Sequence, residues 1–379
     1  MGMIYADNAA TTRLSDAALK AMLPYLREEY GNASTLYKLG RGAHKAIEDA
    51  RSVFARGINT MPAEIYFTSG GSESDNWAIK GTAHRLAAQG KRHIVTDNIE
   101  HHAVLNSTKA LEKEGFDVTY IKADTNGVIH AEDVKAAIRP DTALVSVMFA
   151  NNELGTIQPV SEIGRVCREA GVLFHCDAVQ AAGILPIDVK AMNIDLLSMS
   201  AHKFHGPKGV GILYARRGNV PPVYIDGGKQ ERGHRAGTEN VAGIVGAAAA
   251  FSEAMQEREN KALRLASMRD RMQAELLKIP GSQVNGGSVP RLPGTLNMSF
   301  EGVDGQSLIF ALDLKGVAAS SGSACASGSV SPSHVLLALG LPYSLAHGSL
   351  RLSLGKYNTE DEIDEIVRAV TDAVCELGG

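Results

Sequence analysis

The sequence predicts an α/β fold in which a mostly parallel, doubly wound sheet is flanked by helices and followed by a smaller α+β domain. Two observations support this: short β-rich runs alternate with helical patterns between residues 65 and 214, and several of these runs are apolar on both faces. The chain has 379 residues, whereas a domain usually has about 100–200. We therefore expect a large domain at residues 15–255 and a small domain at residues 1–14 and 256–379.

The large domain contains seven β-rich runs. Helical patterns such as "HHAVLNSTKALEKEG" and "PVSEIGRVCREAG" lie between them, with apolar residues three and four positions apart and a glycine at the end. Repetition of strand, helix and strand is typical of a parallel sheet, so we predict a seven-stranded one. The runs are "EIYFTS", "HIVTD", "DVTYIKA", "TALVSVMFA", "VLFHCD", "DLLSMS" and "GVGILYA".

The pattern changes after Val241. A long helical stretch runs from there to Ile279 and is expected to connect the two domains. Shorter strands and helices follow, which is typical of an α+β unit. The strands are "GTLNMSF", "GVAAS" and "SLRLSL", and the helices are "DGQSLIFALDL", "SHVLLALG" and "EDEIDEIVRAVTDAVCEL".

Composition excludes several classes of protein. The formal net charge is −4 with no basic stripe, which argues against nucleic-acid binding. The longest apolar run, "VAGIVGAAAAF", is far shorter than the about 20 residues that cross a bilayer, and no basic amphipathic segment indicates a membrane surface. The N-terminus lacks the charged and apolar regions of a signal peptide, so a cytoplasmic location is expected. The four cysteines form no CxxC pair, which gives no zinc-ribbon pattern and no disulfide framework.

Ligands of open parallel sheets bind beyond the carboxyl ends of the strands, and Gly71 and Ser72 follow the first run there. A helix begins after them, and the N-terminus of a helix attracts phosphate. Simple helix capping explains the same pattern equally well. The GKS or GKT signature is absent, so this is not a P-loop.

Asp177 ends the run "VLFHCD", where a buried carboxylate is costly unless it meets a cation or several donors. It would either cap the next helix or pair with a protonated ring nitrogen. Gln180, three residues later, would lie on the same side of a helical turn.

Lys203 follows the run "DLLSMS", after Ser200 and His202. A lysine in a desolvated site has a lowered pKa and can form a Schiff base. Lys208 is its competitor, but it lies in a turn-like stretch, so we favour Lys203. His202 and His205 lack acidic or cysteine ligands at metal-site spacing, so no metal site is expected.

Four more strand ends or glycine- and serine-rich stretches carry polar groups. His101 lies at a helix start, Asn152 follows the fourth run, and Arg235 and Arg351 are two candidates for binding a carboxylate or phosphate. Each signal alone fits a surface or a turn. Together they supply a phosphate cradle, an acid for a ring nitrogen, a lysine and an arginine, which suits pyridoxal 5′-phosphate (PLP) and an amino-acid substrate.

At these residues the sequence closely resembles the cysteine desulfurases of the NifS/IscS type, in class V of the fold-type-I PLP enzymes. The resemblance covers nearly the whole chain, and the motifs occur in the family's order. They are "YADNAATT", "FTSGGSESDNWAIKG", "EHHAVL", "NNELGTIQPV", "FHCDAVQ", "SAHKFHGPKGVG", "RAGTEN", "SSGSACASGS" and "AHGSLRLSLG".

The resemblance implies a role for each site residue. Lys203 would bind PLP covalently, Asp177 would pair with the pyridine nitrogen, and His101 would stack over the ring. Arg351, together with Asn152, would bind the substrate. The other implied cofactor contacts are Asn152 and Gln180 at the ring hydroxyl, Gly71, Ser72, Ser200 and His202 at the phosphate, and Thr238 from the other subunit of a homodimer.

The implied reaction converts L-cysteine to L-alanine and leaves the substrate sulfur on Cys325 as a persulfide. Lys203 would move the Cα proton, and we expect His101 to help deprotonate the Cys325 thiol. Cys325 lies in the serine- and glycine-rich stretch "ASSGSACASGSV", which is expected to be mobile so that the thiol reaches both substrate and acceptor.

The acceptor stays open. It would be a protein such as an iron–sulfur scaffold, or a component of another thio-cofactor pathway. The chain ends at "AVCELGG", where IscS members often continue with an extension that helps dock the scaffold. The alternative activities are those of a selenocysteine lyase, another class V PLP enzyme such as an aminotransferase, or a sulfur-relay component that acts mainly by binding partners.

Overall fold

A computed structural model of the protein describes residues 2–321 and 331–378. The strands in these residues are short, and most of them are buried along their length. They are β1 (Ile4–Tyr5), β2 (Ile65–Thr68), β3 (His93–Asp97), β4 (Asp117–Ile121), β5 (Thr142–Ser146), β6 (Leu173–Asp177), β7 (Leu196–Ser200), β8 (Gly211–Ala215), β9 (Ser282–Val284), β10 (Thr295–Phe300), β11 (Val317–Ala318) and β12 (Ser349–Ser353).

The helices range from single turns to one of 36 residues. They are α1 (Asp16–Arg27), α2 (Lys38–Gly57), α3 (Gly71–Asn76), α4 (Thr82–Ala87), α5 (His102–Lys113), α6 (Ala131–Ala137), α7 (Val160–Ala170), α8 (Val241–Leu276), α9 (Gly305–Leu314), α10 (His334–Ala338), α11 (Tyr343–His347) and α12 (Glu360–Gly378). A π-helical segment, Trp77–Gly81, joins α3 to α4.

The central sheet has seven strands in the order β2-β8-β7-β6-β5-β3-β4. They are the seven predicted runs, so the predicted sheet is confirmed. All neighbouring pairs are parallel except those of β8, which is antiparallel to both β2 and β7. Five of the strands are buried at every position, as a sheet covered by helices requires, whereas the edge strand β4 is partly exposed.

Helix α5 begins, and helix α7 ends, at the residue that the sequence pattern marks as the helix end. His101 caps the start of α5 through its side chain, and α7 ends at Gly171, whose φ of 66° lies in the left-handed region that glycine adopts most easily. The long predicted helix is α8. At 1.5 Å per residue it extends for about 54 Å, long enough to pack against two separate clusters of side chains.

Two hydrophobic clusters contain different parts of the chain. The first includes Phe251, in the first half of α8, and surrounds one face of the central sheet. The second includes Met268 and Met272, in the second half of α8, and lies around the antiparallel sheet of β9, β10 and β12. Strand β1 pairs with β11 and also joins the second cluster.

The predicted domain boundaries at residues 15 and 255 stay a prediction. The clusters fit them for most of the chain, but Val335 and Leu336 of α10 pack in the first cluster. Across the two described ranges, no helix is both long and apolar enough to cross a membrane.

Candidate active site

A cavity of about 330 Å³ lies at the carboxyl edge of the central sheet. Parallel strands end at the same edge, so residues that follow β2, β3, β5, β6 and β7 converge there, as the sequence predicts. Arg351 reaches the cavity from β12. The predicted site residues that line it are Gly71, Ser72, His101, Asn152, Asp177, Gln180, Ser200, His202, Lys203 and Arg351.

Lys203 ends a short 3₁₀ turn that begins directly after β7. Its Nζ donates hydrogen bonds to the backbone oxygens of Ala9, at 2.6 Å, and Ala10, at 2.8 Å. Two backbone oxygens of the N-terminal segment thus orient the amine of Lys203. Lys208, the competing lysine, is exposed and does not line the cavity, so the structure favours Lys203.

Asp177 is the last residue of β6 and is almost fully buried. Burial raises the pKa of its carboxyl to about 6, although Val179 donates its N–H to Oδ1 at 2.9 Å and Lys203 supplies positive charge nearby. One ligand atom each of Asp75, His101 and Asp177 lies within 4.8 Å of the others. A protonated ring nitrogen would satisfy this acidic cluster.

Asp75, on helix α3, belongs to the same cluster. Its Oδ1 has no hydrogen-bond partner in the described parts of the chain and lies 3.6 Å from Nε2 of His175. Burial and the neighbouring Asp177 raise the pKa of the Asp75 carboxyl. His175 bonds to Ser146 at 2.9 Å and Ser198 at 3.0 Å, and burial lowers its pKa to about 3. The imidazole is therefore neutral and offers no cation to the two acids.

His101 is fixed by its capping role at the start of α5. Nδ1 accepts the backbone N–H of Ala103 at 3.1 Å. Burial, and the positive charge of Lys203, lower the pKa of the ring to about 4. At neutral pH the ring is therefore uncharged, and because Nδ1 is an acceptor, Nε2 carries the hydrogen.

The phosphate end of the predicted site lies where α3 begins. A Cβ placed on Gly71 would stand 2.7 Å from Cγ2 of Val179, so glycine allows the start of α3 to approach the turn after β6. Ser200 and His202 line the same cavity. His202 bonds to Thr11 at 3.0 Å, and burial lowers its pKa to about 4. These groups present neutral donors beside a helix N-terminus, which suits a phosphate group.

Arg351 is a buried arginine of β12 with a relative exposure of 1%. Nη2 donates to Oδ1 of Asp7 at 2.7 Å, and Nη1 donates to the backbone oxygen of Asn152 at 3.0 Å. Its Nε has no hydrogen-bond partner among the described residues. The other candidate, Arg235, forms an ion pair with Glu73 at 2.8 Å and does not line the cavity.

Two predicted residues are not part of this arrangement. Thr238 is exposed and does not line the cavity of its own chain. Cys325, together with the rest of residues 322–330, lies outside the described residues. Among the other cysteines, Cys167 and Cys176 are buried and Cys375 is exposed. Burial raises the pKa of the Cys167 and Cys176 thiols, which keeps them in the unreactive thiol form.

Sequence reasoning missed four acidic residues at or beside the site: Asp7, Asp75, Glu100 and Glu153. Both carboxylate oxygens of Glu100 are buried without a hydrogen-bond partner in the described chain. Glu153 accepts a hydrogen bond from Ser333 and lies near Arg351. In the sequence, Glu100 directly precedes His101 and Glu153 directly follows Asn152. This adjacency to predicted site residues is the signal that could have identified these two acids.

The chain is similar to a known protein family and to individual known proteins over nearly its whole length. Residues 4–366 match the protein family described as aminotransferase class-V. The chain is 50% identical to a protein of Methanosarcina thermophila named cysteine desulfurase IscS, over 99% of this chain and 92% of that protein. It is 51% identical to a protein of the same name from Clostridium botulinum, over 97% and 93%. A solved structure of a NifS-like protein matches with a TM-score of 0.93 and 40% identity, over 99% and 100%.

The fold and the family match together define the class of protein: the chain belongs to the aminotransferase class-V family. Within that family it is a member of the cysteine desulfurases, to which its relatives at about half identity are assigned.

Proposed function

We propose that this chain binds PLP in the cavity at the sheet edge, converts L-cysteine to L-alanine and transfers the substrate sulfur to Cys325 as a persulfide. One observation carries the proposal: an amine, a buried carboxylate, a neutral imidazole and a guanidinium converge on one cavity. They belong to Lys203, Asp177, His101 and Arg351. Membership of the cysteine desulfurases supports the reaction.

The donor set fits PLP. Asp177 and Asp75 form an acidic pair with no cationic partner from His175, which suits a protonated ring nitrogen. The start of α3, with Ser200 and His202, suits the phosphate group. Gln180 donates its side-chain N–H to the backbone oxygen of Ala9 at 3.0 Å, so its amide is already oriented toward one side of the cavity.

When bound, PLP supplies an electron sink that makes the Cα proton of an amino acid acidic. Lys203 would remove that proton with Nζ and return a proton after the sulfur has left. Arg351 would bind the substrate carboxylate, because a buried guanidinium with an unpartnered Nε has N–H groups to donate. Asn152, on the same wall, would contact the ring hydroxyl and the substrate.

Cys325 is the proposed nucleophile. Its thiolate would form a bond to the substrate sulfur as the C–S bond of L-cysteine breaks, so that one thiol and one cysteine become one persulfide and one alanine. The thiolate is the reactive form of cysteine. We infer that His101 assists in forming the thiolate: Nδ1 accepts from Ala103, so Nε2 carries the hydrogen and would donate it in a hydrogen bond that stabilises the thiolate.

We also propose a homodimer in which Thr238 reaches the phosphate of the other subunit. Two observations support it: Thr238 is exposed away from its own cavity, and α1 exposes Leu19, Leu23 and Leu26 at helical spacing. The sulfur acceptor is proposed to be an iron–sulfur scaffold protein or a component of another thio-cofactor pathway. The cytoplasmic location stays a prediction.

Turnover of L-cysteine tests the proposal. Purified wild type, Cys325→Ala, Cys375→Ala and His101→Ala are incubated with L-cysteine; persulfide on the protein is measured first, and alanine and sulfide are measured after dithiothreitol is added. Wild type and Cys375→Ala are expected to make both products equally, because Cys375 is exposed on α12, away from the cavity. Cys325→Ala is expected to make neither above background, and His101→Ala to form persulfide more slowly.

Other outcomes identify the alternatives. Equal alanine production by Cys325→Ala and wild type would contradict a nucleophilic Cys325 and favour another class V reaction. Alanine from L-selenocysteine but none from L-cysteine would indicate a selenocysteine lyase. Unchanged persulfide formation in His101→Ala would remove the role given to His101.

A further inference from the structure

The Asp7 carboxylate lies between two other groups of the protein. Oδ1 accepts from Nη2 of Arg351 at 2.7 Å, and Oδ2 accepts from the hydroxyl of Ser320, also at 2.7 Å. The side chain of Asp7 is 15% exposed and that of Arg351 is 2% exposed. Both carboxylate oxygens are thus engaged, in a place that little solvent reaches.

Backbone pairing fixes where this carboxylate stands. Asp7 bridges to Ser353 at the end of β12, two residues after Arg351 in the same strand. Ser320 exchanges backbone hydrogen bonds with Arg351 itself, at 2.7 and 3.3 Å. Asp7, Ser320 and Arg351 therefore come from three neighbouring segments in a fixed register, and the carboxylate has a defined orientation before it meets the guanidinium.

An arginine side chain has four flexible torsions, so ordering it costs conformational entropy. Asp7 orders the end of this side chain with a charge-assisted hydrogen bond, and the backbone oxygen of Asn152 holds Nη1. Nε is left buried and unpartnered in the described chain. The guanidinium is therefore held in one orientation, and its Nε–H can still donate to a ligand.

We propose that Asp7 is a positioning residue for substrate recognition: it orients Arg351 so that the guanidinium meets the carboxylate of the amino-acid substrate. The inference rests on the proposed function in assigning the substrate carboxylate to Arg351. Asp7 itself does not contact the reacting atoms in this role, and Ser320 keeps the plane of its carboxylate fixed.

Two ligands separate this role from a merely structural one. L-Alanine carries a carboxylate, whereas L-alaninamide has the same shape and a neutral amide in its place. Binding of each to the PLP-loaded protein is followed by the absorbance change of the cofactor, without any desulfuration. Wild type is expected to bind L-alanine more tightly than L-alaninamide, because only the carboxylate carries a negative charge and forms an ion pair with arginine.

Asp7→Ala is expected to weaken L-alanine binding about tenfold and L-alaninamide binding less than about twofold. Asp7→Asn keeps an acceptor for Nη2 and is expected to restore most of the affinity. Ser320→Ala, which leaves the ion pair intact, is expected to weaken L-alanine alone by about threefold. Asp133→Ala, at an exposed carboxylate of α6 that does not line the cavity, is the matched control and is expected to change neither affinity.

Three results would overturn the inference. Equal weakening of both ligands in Asp7→Ala would mean a structural role only. Tighter L-alanine binding in Asp7→Ala would mean that Asp7 competes with the substrate for Arg351. Equal affinity of wild type for the two ligands would mean that the site does not recognise the carboxylate. Should Asp7→Ala fail to fold, Ser320→Ala gives the same comparison. Failure of the proposed function would appear separately, as absence of alanine production from L-cysteine.

Discussion

Glu153 is a buried acid at the site, next to Asn152 and close to the arginine proposed to bind the substrate. Ser333 donates a hydrogen bond to it, and Arg351 supplies positive charge. Both effects favour the carboxylate form. Burial is the larger effect and raises the pKa of Glu153 from 4.5 to about 7. Near neutral pH the buried carboxyl of Glu153 is therefore partly ionised, and this lowers the free energy of unfolding.

Replacing Glu153 with glutamine should change how stability depends on pH. A raised pKa in the folded state gives stability that is fully present below the unfolded pKa of 4.5 and is lost as the pH rises through about 7. Glu153→Gln does not titrate, so it should gain up to about 3 kcal/mol relative to wild type between pH 5 and pH 8. Denaturant unfolding at both pH values measures the difference.

Glu169→Gln provides the matched control, because Glu169 is an exposed acid of α7 that pairs with Arg165 at the surface. If the free energy of unfolding of Glu153→Gln differed from that of wild type by the same amount at pH 5 and at pH 8, the pKa of Glu153 would not be raised in the folded protein, and the prediction would be contradicted.

At the scale of elements, the approach of α3 to the turn after β6 depends on Gly71. An alanine Cβ would lie 2.7 Å from Cγ2 of Val179 and 3.5 Å from Cβ of Ser200. Gly71→Ala is expected to cost about 1–3 kcal/mol of stability, as overpacked side chains usually do. It should also weaken PLP retention, because the start of α3 moves away from the cavity. Thermal unfolding and the cofactor content after dialysis measure both effects.

The matched test is the pair Gly71→Ala with Val179→Ala, since the second change removes the methyl group that the new Cβ meets. The double variant is expected to recover stability and PLP retention relative to Gly71→Ala alone. Additive losses in the double variant would mean that the contact with Val179 is not the cause.

The elements that sequence predicts best are those whose signals are local. The seven strands of the central sheet follow from apolar runs, and Asp177, Lys203 and Asn152 follow from the rule that ligands bind at strand ends. The short strands β1 and β9 have two and three residues, carry no periodicity and lie outside every predicted run, whereas β11 falls within the predicted run "GVAAS". The acid pair of Asp75 and Asp177 joins residues about 100 positions apart, and no local pattern announces such a contact.

At the scale of the whole molecule, the proposed homodimer makes a prediction about mixed subunits. Thr238→Asp would place a negative charge beside the phosphate and should abolish turnover, as should Lys203→Ala in its own site. In a dimer with one subunit of each kind, one site combines an intact Lys203 with an intact Thr238 from its neighbour. Such a dimer should recover about half of the wild-type turnover, since one of its two equivalent sites is complete.

Two differently tagged chains, co-expressed and purified for both tags, provide the mixed dimer, and alanine production measures its activity. The two parent homodimers are the controls. Turnover of the mixed dimer no higher than that of the Thr238→Asp homodimer would place the effect of Thr238 in its own subunit, and a monomer in light scattering would exclude the proposal altogether.

The N-terminal segment contacts both of the basic side chains that are proposed to meet the substrate. Asp7 binds Arg351, and three residues later Ala10, with Ala9, binds the amine of Lys203. Three peptide units span at most about 11 Å. The short segment between these contacts therefore limits how far apart the guanidinium of Arg351 and the amine of Lys203 can lie. Such a limit would favour α-amino acids, whose carboxylate is bonded directly to Cα, over amino acids whose carboxylate lies further along the chain, whatever side chain they carry.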